Sequence, residues 1–519
     1  MAIRTGSTIL IALMLVACSD VADTTVTHPS SEFAPTGWIA KSLPEIAEAL
    51  QAGDVTSAEL VQAYIDRIDA IDWSGPELQS VLVFNTNALE EARALDAKRA
   101  GGEIVGPLHG IPILLKDNIE SLDNMPTTAG ALALRDNITG RDSPLVAGLR
   151  AAGAIILGKT NLSQWANFRS RDSMSGWSAL GGQVRNPHML DRNPCGSSSG
   201  SGVAVAASLA AGAVGTETNG SIICPSNVNG IVGFKPTVGL VSQEYIVPIS
   251  SSQDTAGPMT KSVTGSAMML NAMATGPQKT DYVAALDSTS LNGARIGVMR
   301  FAEGSNADIK KLFDAALAEL ESAGAVLVEI ADFSPSTDDF WDKAYDVLKY
   351  EFKTTLDAYL ADTPPEVPTR SLDELIAFNN ENAAVELALF DQSIFDESAE
   401  TAGVDDPGYA PARDAVQQAT RQDGIDALLA SYDVDVLVSP SGPVASRIDP
   451  VNGDVWPEWA GGGYLAAIAG YPHVTVPMGT VHGIPVGLSF MSGRDRDAEV
   501  LSYGYAYEQR TGLRVDPAY

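Results

Sequence analysis

Basic residues are scarce in this chain of 519 residues: 33 lysines and arginines stand against 65 aspartates and glutamates, a formal charge of −32. Such a balance repels a phosphate backbone, which argues against nucleic acid as a partner. Cysteine is scarcer still, with only Cys18, Cys195 and Cys224. Three are too few for a disulfide scaffold, and none forms the C-x-x-C pair of a structural zinc site. Beyond the first residues no run reaches 18 uninterrupted apolar residues, so no later membrane span is expected. Glycine and proline are at ordinary levels, with 45% hydrophobic and 19% charged residues. Disordered and collagen-like classes therefore fit poorly, and the length leaves room for a sizeable folded core.

What is present begins with a processing signal. Arg4 precedes the apolar run Ile9 to Val16, which has the charge and length of a secretory signal and is too short to cross a bilayer. The run ends in Leu15-Val16-Ala17-Cys18, similar to a bacterial lipobox. That implies a signal peptide over residues 1–17 and lipidation of Cys18, with cleavage elsewhere and a free Cys18 as the alternative. Multiple acyl chains on one cysteine suffice for stable anchoring. Ser19 in the next position favours the outer membrane in a Gram-negative cell, so the expected location is the cell envelope or periplasm. Residues 18–39, rich in Thr, Ser and Pro, read as a tether, and 40–519 as one catalytic domain.

Two capping boxes, Ser42-Leu-Pro-Glu45 and Thr56-Ser-Ala-Glu59, open two amphipathic helices. Short apolar runs follow at Ser80 to Phe84, Ile111 to Leu115 and Ala154 to Leu157, separated by helical stretches at Ala88 to Arg99 and Pro144 to Ala152. This alternation predicts an α/β sheet. Gly196 to Gly215 is nearly all Gly, Ser, Ala and Val, so a helix there is close-packed and buried on all sides. Residues 333–430, charged and helical in period over Asp342 to Leu360 and Leu372 to Phe395, read as a helical insertion. Strand-like runs return at Val434 to Val438, Val474 to Val476 and Pro485 to Phe490.

Two motifs are decoys. Gly153 to Thr160 matches G-x-x-x-x-G-K-[ST], but its spacer Ala-Ile-Ile-Leu is a buried strand and cannot wrap phosphates. Gly196-Ser-Ser-Ser-Gly200 matches the G-x-S-x-G elbow, with His473 and His482 as the available partners. The preceding Asn186 to Cys195 is a polar, Pro-containing loop, whereas an elbow needs an apolar strand there. No lysine has a serine three places before it, so S-x-x-K is absent. His109, beside Gly110, reads as a strand-end structural residue.

There remain a lysine ending an apolar strand, Gly110-Ile-Pro-Ile-Leu-Leu-Lys116-Asp117, and a Ser/Gly-rich stretch containing Ser197 and Ser221. A desolvated lysine has a lowered pKa and serves as a general base; pairing of Lys116 with Asp117 is the structural alternative. In Thr216-Glu-Thr-Asn-Gly220-Ser221, small residues before a serine allow backbone N–H groups to converge on an oxyanion.

These segments together, Gly110 to Asp117, Gly196 to Ser201 and Gly215 to Ile222, closely resemble the signatures of the amidase signature family. The resemblance continues through Gly230 to Leu240, Ser252 to Met259 and Ala469 to Pro477, and covers most of residues 40–515. It implies an α/β fold with a central mixed, mostly parallel β-sheet covered by helices on both faces. It also implies a Ser-cisSer-Lys triad: Ser221 as nucleophile, Ser197 as bridging serine after a cis peptide bond, and Lys116 as base. The backbone N–H groups of Thr218, Asn219, Gly220 and Ser221 are then the oxyanion hole. No cofactor and no metal are called for. Many relatives carry Gly-Gly before the nucleophile where this chain has Asn219-Gly220, which implies a left-handed Asn219.

The Gly-Thr-Glu-Thr lead-in and Tyr350-Glu-Phe-Lys353 look most like the bacterial peptide amidases, which hydrolyse C-terminal peptide amides to acid and ammonia. Tyr350 and Phe395 are candidates for a substrate groove or for core. Other substrates compatible with the family are fatty acyl amides, aryl acylamides and esters. A tRNA-amidating subunit shares the triad motifs but conflicts with the export signal, and a catalytically dead binder conflicts with the filled triad. Cys195 and Cys224 fall near the site and could pair in an oxidising envelope; sequence leaves open whether their Cα atoms lie within about 7 Å. Oligomeric state is left open.

Overall fold

The computed structural model describes residues 33–518. The expected signal segment 1–17, the expected lipidation site Cys18 and most of the expected tether lie outside the described residues. Its last part does not hang free: Phe33, Trp38 and Ile39 pack against the main core, and Gly37–Ala40 forms a turn of 3₁₀-helix. The packed body therefore starts no later than Phe33, because these three apolar side chains have core surface to cover.

Both capping boxes form. Glu45 accepts the Ser42 amide at 2.8 Å and opens helix Leu43–Ala52; Thr56 and Glu59 cap each other reciprocally at 3.2 and 2.8 Å and open helix Ser57–Ile71. The strands, in chain order, are β1 Val81–Phe84, β2 Pro112–Lys116, β3 Ile155–Thr160, β4 Trp177–Ser178, β5 Gly182–Gln183, β6 Gly212–Glu217 and β7 Val232–Lys235. They continue with β8 Thr255–Thr260, β9 Arg295–Met299, β10 Val326–Ile330, β11 Val436–Pro440, β12 His473–Val481 and β13 Ile484–Met491. Among the described residues eleven of them form one sheet in the order β1-β3-β2-β6-β8-β7-β12-β13-β11-β9-β10, while β4 and β5 make a separate hairpin.

The sheet is mixed. Parallel pairing is confined to two blocks, β3-β2-β6 and β11-β9-β10, and the strands between them pair antiparallel. The first block matters for the site, since it sets the end of β2 beside the end of β6. The run Gly153 to Thr160 is wholly buried and carries strand β3, and its Lys159 donates to Thr127 Oγ1 and to the Ile119 carbonyl instead of facing a phosphate loop.

Helix Ser199–Ala206 is buried at every position. Gly200 is required by close approach: a Cβ there would sit 2.4 Å from the carbonyl oxygens of both Asn161 and Ser80. The helix thereby lies directly on the sheet.

Residues 333–430 form the expected helical layer, with helix Phe340–Ala361 as its spine. The helical period over Leu372 to Phe395 is carried by separate helices, Leu372–Glu381, Ala383–Glu386 and Ser393–Ala399. The break after Glu386 coincides with Arg169, whose buried guanidinium takes the carbonyls of Glu386, Phe390 and Asp391 and draws those groups away from an i→i+4 ladder. Phe395 stacks on Phe352 and meets Trp165 edge-on in the core of this layer, and Tyr350 packs on Tyr409; both are packing residues. No helix among the described residues is long and apolar enough to cross a membrane.

Candidate active site

Lys116 is the last residue of β2 and has no solvent exposure. Its Nζ contacts Ser197 Oγ at 2.7 Å, Thr216 Oγ1 at 2.8 Å and the Thr216 carbonyl at 3.3 Å. No hydrogen-bonded carboxylate is among these partners. Asp117, the alternative partner, turns to Thr128 and feels the charge of Lys159 instead. Burial pushes the Lys116 amine down to about 7, against the partial pull of the Asp254 and Glu217 carboxylates. The three contacts suit the neutral amine: two N–H groups serve Thr216 and the lone pair is left for the Ser197 O–H. Asn118 Nδ2 also donates to Thr216 Oγ1, at 3.0 Å, and holds that hydroxyl in place.

The Gly196–Ser197 peptide bond is cis. Ser198 ties this turn to β6, donating to the Thr216 carbonyl at 3.0 Å and accepting the Thr216 amide at 3.1 Å, while its own amide donates to the Ser221 carbonyl at 3.2 Å. One residue thus connects the Ser197 turn to both the partner of Lys116 and the backbone of Ser221.

Ser221 follows β6 and precedes helix Ile223–Asn229. Glu217 fixes that junction by accepting the amides of Ile222 and Ile223 at 2.7 and 3.0 Å. The left-handed residue of the turn is Gly220, at φ +83°, and not Asn219 as the missing second glycine suggested. Asn219 needs no special conformation because the reversal is completed one residue later. Among the described residues, the amides of Thr218, Asn219, Gly220 and Ser221 donate to no protein acceptor.

These residues open onto a cavity of about 600 Å³ lined by Gly196, Thr218, Asn219, Gly220 and Ser221. Cys195 and Cys224 line it too and are joined in a disulfide, with Cα atoms 5.9 Å apart. The cross-link connects the residue before Gly196 to the first turn of the helix that follows Ser221. His473 also borders the cavity, but its Nε2 is paired with Ser489 Oγ at 2.6 Å and burial lowers its pKa to about 3. His109 is engaged by the Val105 amide and the Leu95 carbonyl, as a structural residue is.

The sequence model of the Amidase family matches residues 59–501. The chain belongs to the Amidase family. A putative amidase of Schizosaccharomyces pombe is 34% identical over 92% of this chain and 86% of its own length. A glutamyl-tRNA(Gln) amidotransferase subunit of Moorella thermoacetica is 34% identical over 90% and 96%. Among solved structures, the native peptide amidase from Stenotrophomonas maltophilia is 45% identical with a TM-score of 0.87, over 93% of this chain and 99% of that one. This amidase therefore has the amidase signature fold and is an amide-hydrolysing enzyme.

Sequence reasoning misses part of the site. Thr216 has no role in it, and neither does Asp254, which accepts from Thr218 Oγ1 at 2.6 Å just behind the turn, with burial raising its pKa to about 6. This amidase's cavity is also lined by Trp341 and Leu348 from the helical layer and by Asp454, Trp456 and Trp459 from a loop after β11. The only signal for that loop is its unusual pair of tryptophans.

Proposed function

We propose that this amidase hydrolyses C-terminal peptide amides to the free acid and ammonia through Ser221, Ser197 and Lys116. The observation that carries the reading is the 2.7 Å contact between Ser197 Oγ and a buried Lys116 amine that has no hydrogen-bonded carboxylate, one residue from the Ser198 amide that binds the Ser221 carbonyl.

In this reading neutral Lys116 takes the Ser197 proton while Ser197 takes that of Ser221, and Ser221 Oγ attacks the amide carbon. Negative charge develops on the carbonyl oxygen, where the unengaged amides of the 218–221 turn supply donors; one such donor is commonly worth roughly 3 kcal/mol. Lys116 returns the proton through Ser197 to the departing nitrogen, the C–N bond breaks, and ammonia leaves. Water, deprotonated by the same relay, then releases the acid and restores Ser221.

A cavity of about 600 Å³ suits the terminal residues of a peptide better than a short aliphatic amide. Likeness to the Stenotrophomonas peptide amidase, and to a structure of that enzyme type with the competitive inhibitor chymostatin at 46% identity, supports the same substrate class. The lipobox-like Cys18 and the Cys195–Cys224 disulfide support an oxidising, envelope location with a lipid anchor. Loss of membrane fractionation and of fatty-acid labelling in Cys18→Ala tests the anchor.

Ammonia release from a panel of peptide amides, aliphatic amides, acyl amides and anilides tests the substrate. Release from peptide amides alone supports the reading. Release from acyl amides or anilides alone moves the assignment within the family, and copurification with tRNA-amidating partners moves it to that class.

A further inference from the structure

Resting on the peptide amide reading, we infer that this enzyme prefers substrates carrying a positive charge on the acyl side of the scissile bond, and that Asp454 with its neighbouring tryptophans is the element that selects them.

Three observations converge. First, the cavity holding Ser221 is lined by no lysine or arginine, and its one buried imidazole, His473, is held neutral. Second, its acidic groups differ in availability. Glu217 is buried at the Ser221 turn with one oxygen committed to two amides. Asp454 is only half-buried, on the loop after β11, with Oδ1 fixed by the Ser175 amide at 3.0 Å and by Asn193 Nδ2 at 2.7 Å. Those two donors set the carboxylate's position without neutralising it. Asn193 in turn accepts the Cys195 amide at 2.8 Å, which ties Asp454 to the turn bearing Ser197. Third, aromatic rings share the cavity with this charge: Trp456 and Trp459 meet edge-on at 6.0 Å, and Trp341 meets Tyr464 at 5.0 Å, all four lining the cavity.

A carboxylate held by neutral donors, in a cavity that indole rings also line and that no lysine or arginine lines, is complementary to an ammonium or guanidinium group. The formal charge of −32 adds a long-range attraction of the same sign. The inferred substrate class is therefore a peptide amide with a lysine, an arginine or a free α-amino group close to its C-terminus, and anionic peptides are rejected.

The test uses N-acetyl-Lys-Leu amide against N-acetyl-norleucine-Leu amide, which differ by one charge at nearly equal shape. The wild-type kcat/KM ratio should favour the lysine peptide about tenfold, mostly through KM, and should shrink as ionic strength rises. In Asp454→Asn the ratio should fall to near one; because both peptides are read on the same protein, partial misfolding cancels. A ratio near one in the wild type, or a preference that survives Asp454→Asn, overturns the inference. Binding of the two peptides to Ser221→Ala, followed by tryptophan fluorescence, gives the same ratio without turnover. If neither peptide is cleaved, the peptide amide reading fails while this binding ratio still decides the cation site: discrimination supports it and equal affinity overturns it.

Discussion

Lys116 Nζ lies 2.7 Å from Ser197 Oγ, across 81 residues of sequence. The parallel pairing of β2 with β6 delivers one partner to the sheet end and Ser198 pins the turn bearing the other against β6, so the contact joins a strand end to a turn that the sheet itself holds.

Loss of any of the three proposed triad side chains should disable the enzyme. Ser221→Ala, Ser197→Ala and Lys116→Ala are each expected to lower kcat by about a thousandfold or more, with little change in substrate binding. Steady-state kinetics beside a binding measurement checks this, and full turnover by Ser221→Ala contradicts the mechanism.

The pH dependence follows from the buried amine. In the proposed mechanism Lys116 acts as a base only when neutral, and burial brings its pKa down to about 7. Activity should therefore rise with pH through about 7 and level off above it. Thr216→Val removes an acceptor that favours the charged amine, so the rise should move to lower pH, with kcat reduced about tenfold. A profile falling across the same interval would show that the ammonium is the active form.

Much of this is legible in the sequence where the determinant is local. The capping boxes at Ser42 and Thr56 and the buried strand within Gly153 to Thr160 need only neighbours a few residues away. What the sequence conceals depends on distant groups. The break after Glu386 coincides with contacts from Arg169, more than two hundred residues earlier, and periodicity within the helix cannot register it. The expectation of a left-handed Asn219 misses by one residue because a turn's left-handed position follows from where its flanking strand ends. Asp454, Trp456 and Trp341 carry no shared spacing, so their convergence on one cavity has no signal in the chain.

Gly220 is the position where the proposed oxyanion turn depends on glycine. A Cβ there meets nothing within 4 Å, so Gly220→Ala tests conformation alone. At φ +83° an alanine is strained, and the expected outcome is about 1 kcal/mol of lost stability with a larger loss in kcat, as the amides of the turn shift. Thermal unfolding and kcat measured together separate the two effects.

The Cys195–Cys224 cross-link should matter for both stability and rate. It closes a segment of 29 residues, for which the loop-entropy argument gives roughly 3–4 kcal/mol. Reduction by a dithiol, or Cys224→Ala, should lower the melting temperature and reduce activity, since the bridge joins the Ser197 turn to the helix after Ser221. Unchanged kcat in a reduced, folded protein would show that the turn holds its position without the bridge.

The most direct test of the central claim is mass spectrometry on enzyme quenched during turnover of a peptide amide. The account predicts an added mass equal to the acyl portion of the substrate, on the proteolytic fragment containing Ser221 and absent in Ser221→Ala. An adduct on another residue, or rapid turnover with no adduct under conditions that trap acyl-enzymes, would contradict it.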